Sequence, residues 1–193
     1  RYNMYYENGN LMEEGNFIDG KEEGIWVTVD SLGYINKGNY NNGKREGIWN
    51  WYDVDPLTSL DTLKIGEQVF EEGILRGEIN FDEKDGETIE RYINYYNSGQ
   101  KKSEYSYING KLNGKYISYH ENGKVYLEED YKDGKQVNKS TFFYENGQKS
   151  SENSYTYINE DQHSKWIKYY ENGEIQEEGK YINGKENGEF ILY

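Results

Sequence analysis

Two short turn sequences recur along this chain at a fixed distance, and this repetition limits the possible fold more than any other feature. One turn closes Tyr-Tyr-Glu-Asn-Gly at residues 169–173, and the other closes Tyr-Ile-Asn-Gly at residues 181–184. Turns of the first type end at Gly9, Gly33, Pro56, Gly99, Gly123, Gly147 and Gly173, and turns of the second type end at Gly20, Gly43, Gly86, Gly110, Gly134, Glu160 and Gly184. Each of the first six second-type turns lies thirteen residues before the next first-type turn. A period held this closely is typical of a repeat architecture.

The residue types at these turns predict that each repeat consists of β-hairpins. Asn-Gly and Asp-Gly pairs tolerate the positive φ angles that two-residue hairpin turns require. Aromatic side chains stand seven residues before the end of most first-type turns, at Tyr2, Trp26, Trp49, Tyr92, Tyr116 and Trp166, and three residues before the end of most second-type turns, at Phe17, Tyr40, Tyr107, Tyr131, Tyr157 and Tyr181. Stacked hairpins would align these rings as aromatic ladders. The sequence therefore predicts an all-β fold, an elongated repeat array of antiparallel β-hairpins with about 24 residues per unit, forming a twisted open sheet.

The period breaks once, at about residues 57–84, within what is otherwise a single array over residues 1–193. The segment is predicted to be either an irregular insertion or a degenerate extra hairpin. Glu71-Glu72-Gly73 within it matches Glu177-Glu178-Gly179 and is interpreted as a worn copy of that stretch. Insertions into repeat arrays often lie on a functional face. Decay of one repeat would leave the same trace in the sequence.

The composition bears on the kinds of partner that such an array could have. The formal net charge is −14, which disfavours nucleic acid and anionic membranes because both attract concentrated Lys and Arg. A basic protein is the electrostatic complement, although the same charge would also keep a thin sheet soluble. Apolar runs fall short of a membrane span, so no direct membrane insertion is predicted.

Residues that could carry chemistry are few, and the sequence predicts no enzyme, no cofactor and no metal site. His120 stands where other repeats carry Tyr6, Tyr96 and Tyr144, which indicates a ladder substitution rather than a catalytic base. His163 lies in an expanded turn at residues 159–164, far along the chain from His120. Paired carboxylates recur with the repeat, as the residues of a solvated face would do. A phosphate-binding loop is disfavoured because no helix is predicted after any glycine cluster.

Large aromatic side chains and the recurring carboxylates are the candidates for binding a partner. They are Trp26, Trp49, Trp51, Glu71, Glu72, His120, Trp166, Glu177 and Glu178. The Glu-Glu-Gly stretches predict an acidic stripe that is solvated or met by Lys180, and only secondarily by a partner. Gly24, Gly47 and Gly114 each precede an aromatic residue by two positions and are predicted to leave room for its ring.

The pattern aromatic-Tyr-Glu-Asn-Gly, Glu-Glu-Gly and Tyr-Ile-Asn-Gly-Lys-x-x-Gly resembles the MORN-repeat variant of bacterial proteins, including the YwqK antitoxin-like family. The resemblance covers nearly the whole chain except about residues 57–84. It implies an array of hairpins used for protein association or assembly. Ser140, Glu160 and Pro56 depart from the repeat pattern, which puts the geometry in doubt at those three positions.

Two functional hypotheses follow, and both describe a non-enzymatic protein-binding or scaffold array. The first is an acidic antitoxin or immunity-like inhibitor that masks a basic protein. The second is a secreted or surface-exposed bacterial adhesin that contacts a host, which an initial Arg1 in place of Met favours slightly over a cytoplasmic protein. The strand-like ends, residues 2–6 and 190–193, also predict self-association by strand pairing.

Overall fold

A computed structural model describes residues 1–54, 62–158, 161–183, 185–186 and 190–193. Its strands are β1 (Tyr2–Tyr5), β2 (Leu11–Ile18), β3 (Lys21–Val29), β4 (Ile35–Asn41), β5 (Lys44–Val54), β6 (Thr62–Glu71), β7 (Ile74–Lys84), β8 (Glu87–Tyr95), β9 (Lys101–Ile108), β10 (Lys111–Leu112), β11 (Gly114–Tyr119), β12 (Val125–Lys132), β13 (Lys135–Phe143), β14 (Lys149–Ile158), β15 (Asp161–Tyr169), β16 (Ile175–Ile182), β17 (Lys185–Glu186) and β18 (Ile191–Leu192). The described residues contain no helix. The predicted all-β array of hairpins is confirmed.

The chain divides into an N-terminal unit, residues 1–99, and a C-terminal unit, residues 100–193. In the N-terminal unit each strand from β1 to β8 pairs antiparallel with the next one in the chain. In the C-terminal unit β9 pairs with both β10 and β11, consecutive strands pair from β11 to β16, and β16 pairs with both β17 and β18. Sequential pairing of this kind follows from the short hairpin connections.

The two turn types differ in backbone geometry, although most turns of both types end in glycine. In the second type both central residues have positive φ, as at Asp19 (52°) and Gly20 (77°), which is the two-residue turn that the sequence predicts. In the first type Gly9 has φ of 87°, and its N–H donates to the Tyr6 carbonyl over 2.9 Å. Asn8 Oδ1 accepts the Asn10 N–H at 3.0 Å. The first type is therefore a three-residue loop with a bulge glycine. The prediction of a two-residue turn is wrong for this type, because the Asn side chain accepts a backbone hydrogen bond within the loop.

In the repeats that carry Tyr6, His120 and Tyr144, the residue three positions before the first-type glycine links one repeat to the next. Asp30, at the same position in another repeat, instead accepts the Leu32 and Tyr34 N–H hydrogen bonds of its own turn. Tyr6 donates its hydroxyl to the Val29 carbonyl at 2.8 Å, and Tyr144 donates to the Tyr169 carbonyl at 2.6 Å. His120 makes the equivalent contact, with Nε2 lying 2.9 Å from the Phe143 carbonyl oxygen. His120 therefore takes the structural place of tyrosine. Of the departures from the repeat, Pro56 and Glu160 lie outside the described residues.

The core of the N-terminal unit is a row of aromatic rings on one face of its sheet. The row runs through Tyr2, Phe17, Trp26, Tyr40, Trp49 and Phe70, with neighbouring ring centroids 5.1–6.4 Å apart and close to edge-to-face. Trp26 is 1% exposed and Trp49 is 0% exposed. Edge-to-face packing adds about 0.5–1.5 kcal/mol per pair to the burial of aromatic surface. The row thus supplies the buried core of the N-terminal unit.

Glycines in the strands beside the tryptophans make this packing possible. A Cβ on Gly15 would lie 2.2 Å from atoms of the Trp26 ring, and a Cβ on Gly38 would lie 2.2 Å from the Trp49 ring. By contrast, Gly24 has no atom within 4 Å of such a Cβ but has φ of 74°. The prediction that Gly24, Gly47 and Gly114 leave room for rings is therefore wrong. They allow the positive φ of a bulge, and glycines on the adjacent strand provide the space.

Within residues 57–84, β6 and β7 pair antiparallel with Gln68 opposite Glu78. Glu72 (φ 51°) and Gly73 (φ 83°) form the turn between them. Glu71-Glu72-Gly73 therefore corresponds to the second turn type. Its interpretation as a copy of Glu177-Glu178-Gly179 is wrong, because Gly179 lies within β16 against the Trp166 ring. Residues 57–61 lie outside the described part of the chain.

Candidate protein-binding surface

The two tryptophans at the centre of the aromatic row have structural surroundings. Trp49 donates its Nε1 hydrogen to the Asn39 carbonyl over 3.2 Å, and the Arg45 guanidinium carbon lies 4.1 Å from the ring centroid. Trp26 packs between Phe17 and Tyr40. Because both rings are buried, they offer no area to a partner in this conformation.

The other two tryptophans are half-buried. Trp51 lines an open cavity of about 240 Å³ together with Gly66, Gln68 and Asn80. The Trp166 ring centroid lies 5.6 Å from the Phe190 ring centroid. The Lys168 ammonium lies 5.4 Å from the Trp166 ring centroid. Both side chains are partly exposed, so they stay candidates for contact.

On the opposite face of the N-terminal sheet, aliphatic side chains remain in solvent. Ile25 is 63% exposed and Ile48 is 53% exposed, although each directly precedes a buried tryptophan. Alternation along a strand explains this, because consecutive side chains point to opposite faces. Val27 is half-buried two residues after Ile25, and Val69 is half-buried directly opposite Ile48. Ile25, Val27, Ile48 and Val69 are called the isoleucine face below.

The C-terminal unit carries lysine where the isoleucine face carries isoleucine. Ile25 and Ile48 each lie eight residues before the end of a first-type turn, and the same position holds Lys115, Lys139 and Lys165. Lys139 pairs with Glu152 at 2.8 Å, and Lys165 pairs with Glu178 at 2.6 Å. The backbone position is thus equivalent, while its surface chemistry changes from apolar to ion-paired.

Of the predicted acidic candidates, Glu71, Glu177 and Glu178 form ion pairs within the chain. Glu71 pairs with Arg76 at 2.9 Å, and the Glu72 N–H donates to the Glu46 carboxylate at 2.9 Å. Glu177 pairs with Lys168. Lysines meet the acidic stripe at one stretch, where Lys165 and Lys168 of the neighbouring strand pair with Glu178 and Glu177. At the other two stretches arginines make the pairs, Arg1 with Glu14 and Arg76 with Glu71.

Glu104, Glu152 and Glu178 each belong to a recurring network of tyrosine, glutamate and lysine. Burial opposes the charged form of Glu152, but hydrogen bonds from Lys139, Lys149 and Tyr169 outweigh it and lower the Glu152 pKa to about 2. Burial and the same hydrogen bond raise the Tyr169 pKa to about 12. Glu104 with Lys101 and Tyr119, and Glu178 with Lys165 and Tyr193, repeat the arrangement. The pKa of Glu104 and that of Glu178 are both lowered. These groups stabilise the sheet as charged pairs.

Neither histidine lies in an arrangement suited to catalysis within the described residues. His120 contacts the Phe143 carbonyl and the Tyr126 ring, whose centroid is 5.1 Å away. His163 is half-buried on β15. Over the part of the chain that the structure describes, no three His, Cys, Asp or Glu side chains are grouped to hold a metal ion. Across the same residues, no helix has the length and apolarity to cross a bilayer.

Comparison with known proteins points to the repeat. Four segments, residues 1–19, 112–133, 136–157 and 162–183, match the family model of the MORN repeat variant. Repeats of this type are generally non-catalytic modules that bind proteins or membranes. No curated protein matches the sequence. A solved structure described as "Crystal Structure of TcdB2-TccC3-TEV" is similar over 94% of this chain at 9% identity, with a TM-score of 0.24, and this chain corresponds to 12% of that chain's length.

The isoleucine face is the part of the surface that sequence reasoning missed. Trp26 and Trp49 drew attention as large residues suited to interfaces, while their neighbours Ile25 and Ile48 were not singled out. The signal was present, because an apolar residue next to a ladder tryptophan must face the other side of a strand. Comparison of that position along the repeat would also have shown the change from isoleucine to lysine.

Proposed function

We propose that this chain is a non-catalytic protein-binding array whose isoleucine face docks an apolar surface of another protein. The observation that carries the proposal is that Ile25 and Ile48 stay more than half exposed while the tryptophans beside them are buried. These aliphatic side chains lie on β3 and on the β5–β6 pair, and Lys37 and Asn39 of β4 lie between them on the same face. Exposed apolar surface bordered by polar residues is typical of interaction sites.

Charge favours a basic partner. The net charge is −14, and such a field speeds the encounter with a positively charged protein and makes it sensitive to salt. Of the two hypotheses, the negative charge supports an acidic inhibitor that binds a basic protein. The same surface would serve a secreted adhesin, for which no basic partner is required. The salt response of binding separates the two.

The test replaces Ile25 and Ile48 with lysine, the residue that the C-terminal unit carries at these positions, so the fold is expected to survive. The control is Asn10→Lys with Ser31→Lys, which adds the same charge at exposed turn positions outside the isoleucine face. Each immobilised protein is exposed to extract from the native cell at low and high salt. We expect one basic protein to be retained by the wild type and the control, released by salt, and lost by at least about tenfold in I25K/I48K.

Equal retention by I25K/I48K and the wild type would reject the isoleucine face as the docking surface. Retention that is unchanged by salt would reject the basic partner while leaving the apolar contact in place. Reading the complete gene product for an export signal then decides between an inhibitor inside the cell and an adhesin outside it.

A further inference from the structure

A cavity in the C-terminal unit collects positive and hydroxyl side chains, in contrast to the acidic character of the chain. It has a volume of about 240 Å³ and is lined by His163, Lys165, Lys180, Ser154 and Thr156, with Ile182 at one side. The three strands that supply them are adjacent, β14, β15 and β16.

Strand register places these side chains on one face in two neighbouring rows. Lys165 lies opposite Ser154 on one side and Lys180 on the other. His163 lies opposite Thr156 on one side and Ile182 on the other. Residues that face each other across an antiparallel pair share a face, and their Cβ atoms are about 4.5–5.5 Å apart. The two lysines, the histidine and the two hydroxyls therefore converge without any rearrangement of the backbone.

In the repeats that contain Trp26 and Trp49, the equivalent positions carry acidic or neutral residues, so the positive charge of this cluster is not common to all repeats. The position of His163, ten residues before the end of a first-type turn, carries Glu23 and Glu46 in the N-terminal unit. Those two carboxylates accept hydrogen bonds from the backbone N–H groups of Asn42 and Glu72, each in the next second-type turn. The position of Lys165 carries Ile25 and Ile48 there, and the position of Lys180, directly after the Glu-Glu-Gly glycine, carries Asn16.

Two lysines directly opposed across a strand pair repel each other. Glu178 meets one of them through its 2.6 Å pair with Lys165 and also interacts with Lys180. Two ammonium groups and one carboxylate leave the cluster positive before His163 is considered. A bound anion would remove the remaining repulsion and accept hydrogen bonds from the lysines and the Thr156 hydroxyl.

We infer that this cavity is an anion site that takes an oxyanion such as phosphate, either free or carried on a larger molecule. Lys165 and Lys180 would supply the charge, and Thr156 and His163 would supply directional hydrogen bonds. The Ser154 hydroxyl already donates to the Lys165 carbonyl over 3.3 Å. The inference is independent of the isoleucine face, which lies in the other unit.

The histidines allow a direct test, because the chain has only two. Inorganic phosphate is added to the full chain at constant pH while the ring resonances of His163 and His120 are followed by NMR. We expect a saturable shift of His163 with His120 unchanged, and no such shift with chloride at matched ionic strength. A short phosphoserine peptide in a parallel titration shows the source, since tighter binding than phosphate assigns the anion to a phosphorylated protein.

Three variants, each checked by near-UV circular dichroism, sharpen the test. Lys180→Gln should weaken phosphate binding by at least about tenfold, since a charge-assisted hydrogen bond is lost. Glu178→Gln should tighten it, because the carboxylate competes with the anion for Lys165. Lys132→Gln is the control, because Lys132 opposes Lys135 on β12 and β13 in another like-charged pair. Equal shifts of the two histidines, an equal effect of chloride, or equal weakening by Lys132→Gln would overturn the proposal.

Discussion

The N-terminal and C-terminal units carry the same repeat but use its two faces differently. In the N-terminal unit, tryptophans over Gly15 and Gly38 build a buried row, and the opposite face presents isoleucine. In one repeat of the C-terminal unit, Ser140 stands at the tryptophan position and is 3% exposed, and Lys139 stands at the isoleucine position. Another repeat of that unit keeps the tryptophan, as Trp166 over Gly179. Hairpin register is thus set by the turns and tolerates large changes in what each face carries.

On the buried face, the replacement of tryptophan by Ser140 is accompanied by a larger residue on the neighbouring strand. Gly38 lies eleven residues before Trp49, and the residue eleven before Ser140 is Glu129. Glu129 accepts hydrogen bonds from Tyr131 at 2.9 Å and from Gln136 at 3.2 Å, and Gln136 also donates to Ser140. The pair of Gly38 and Trp49 in the N-terminal unit thus corresponds to the pair of Glu129 and Ser140 in the C-terminal unit, with the small and the large residue exchanged.

The largest expected effect comes from removing a ring of the row. Trp49→Ser should destabilise the N-terminal unit by about 3–5 kcal/mol, because a fully buried indole is lost and a cavity remains. Unfolding in denaturant, followed by near-UV circular dichroism, measures the change. Ser140→Ala, the matched position in the other unit, should cost only about 1 kcal/mol. Comparable losses at the two positions would show that the units do not differ in how they are stabilised.

A smaller loss is expected when the space under the ring is filled. Gly38→Ala should destabilise by about 1–3 kcal/mol, since its Cβ would overlap the Trp49 ring. Gly24→Asn is the control, because Asn138 holds the equivalent position with φ of 63°. It should cost less than about 1 kcal/mol. If the alanine variant keeps wild-type stability by the same denaturant measurement, Gly38 is not needed for packing.

The ion-paired network of the C-terminal unit predicts a dependence of stability on pH. The Glu152 pKa is about 2 in the folded chain against 4.5 as its ordinary value. Its contribution is therefore present above about pH 4.5 and is lost as the pH falls towards 2, because the unfolded chain takes up the proton first. Glu152→Gln should lower the denaturant midpoint at pH 7, and the difference from wild type should shrink on acidification. Glu71→Gln, at an exposed pair, is the control and should lower the midpoint at pH 7 only slightly. A Glu152→Gln difference that does not shrink on acidification would remove the special role of Glu152.

The smallest effect is expected at His120. His120→Tyr restores the residue used in other repeats, so stability should change by less than about 1 kcal/mol, while His120→Ala should lose roughly 1 kcal/mol with the bond to Phe143. Thermal unfolding of the two variants gives the comparison. A tyrosine variant less stable than the alanine variant would mean that His120 does not take the structural place of Tyr6 and Tyr144.

Much of the fold could be predicted because turn chemistry is local. Asn-Gly, Asp-Gly and the constant thirteen-residue spacing determine hairpins and their order, and the ladder positions determine which residues stack. The site could not be predicted to the same degree. Trp26 and Trp49 were predicted to bind a partner because they are large and aromatic. They are buried instead, because Gly15 and Gly38 on neighbouring strands leave space for their rings.

The sequence by itself determined the repeat, the antiparallel hairpins, the rows of aromatic residues and the structural place of His120, because each depends on short spacings and residue type. Tertiary structure decided which glycines make room for rings, how Glu71-Glu72-Gly73 aligns, and that Ile25 and Ile48 are exposed while Trp26 and Trp49 are buried. These outcomes depend on which residues face each other across strands, and bulges shift that register in ways that spacing along one strand does not reveal.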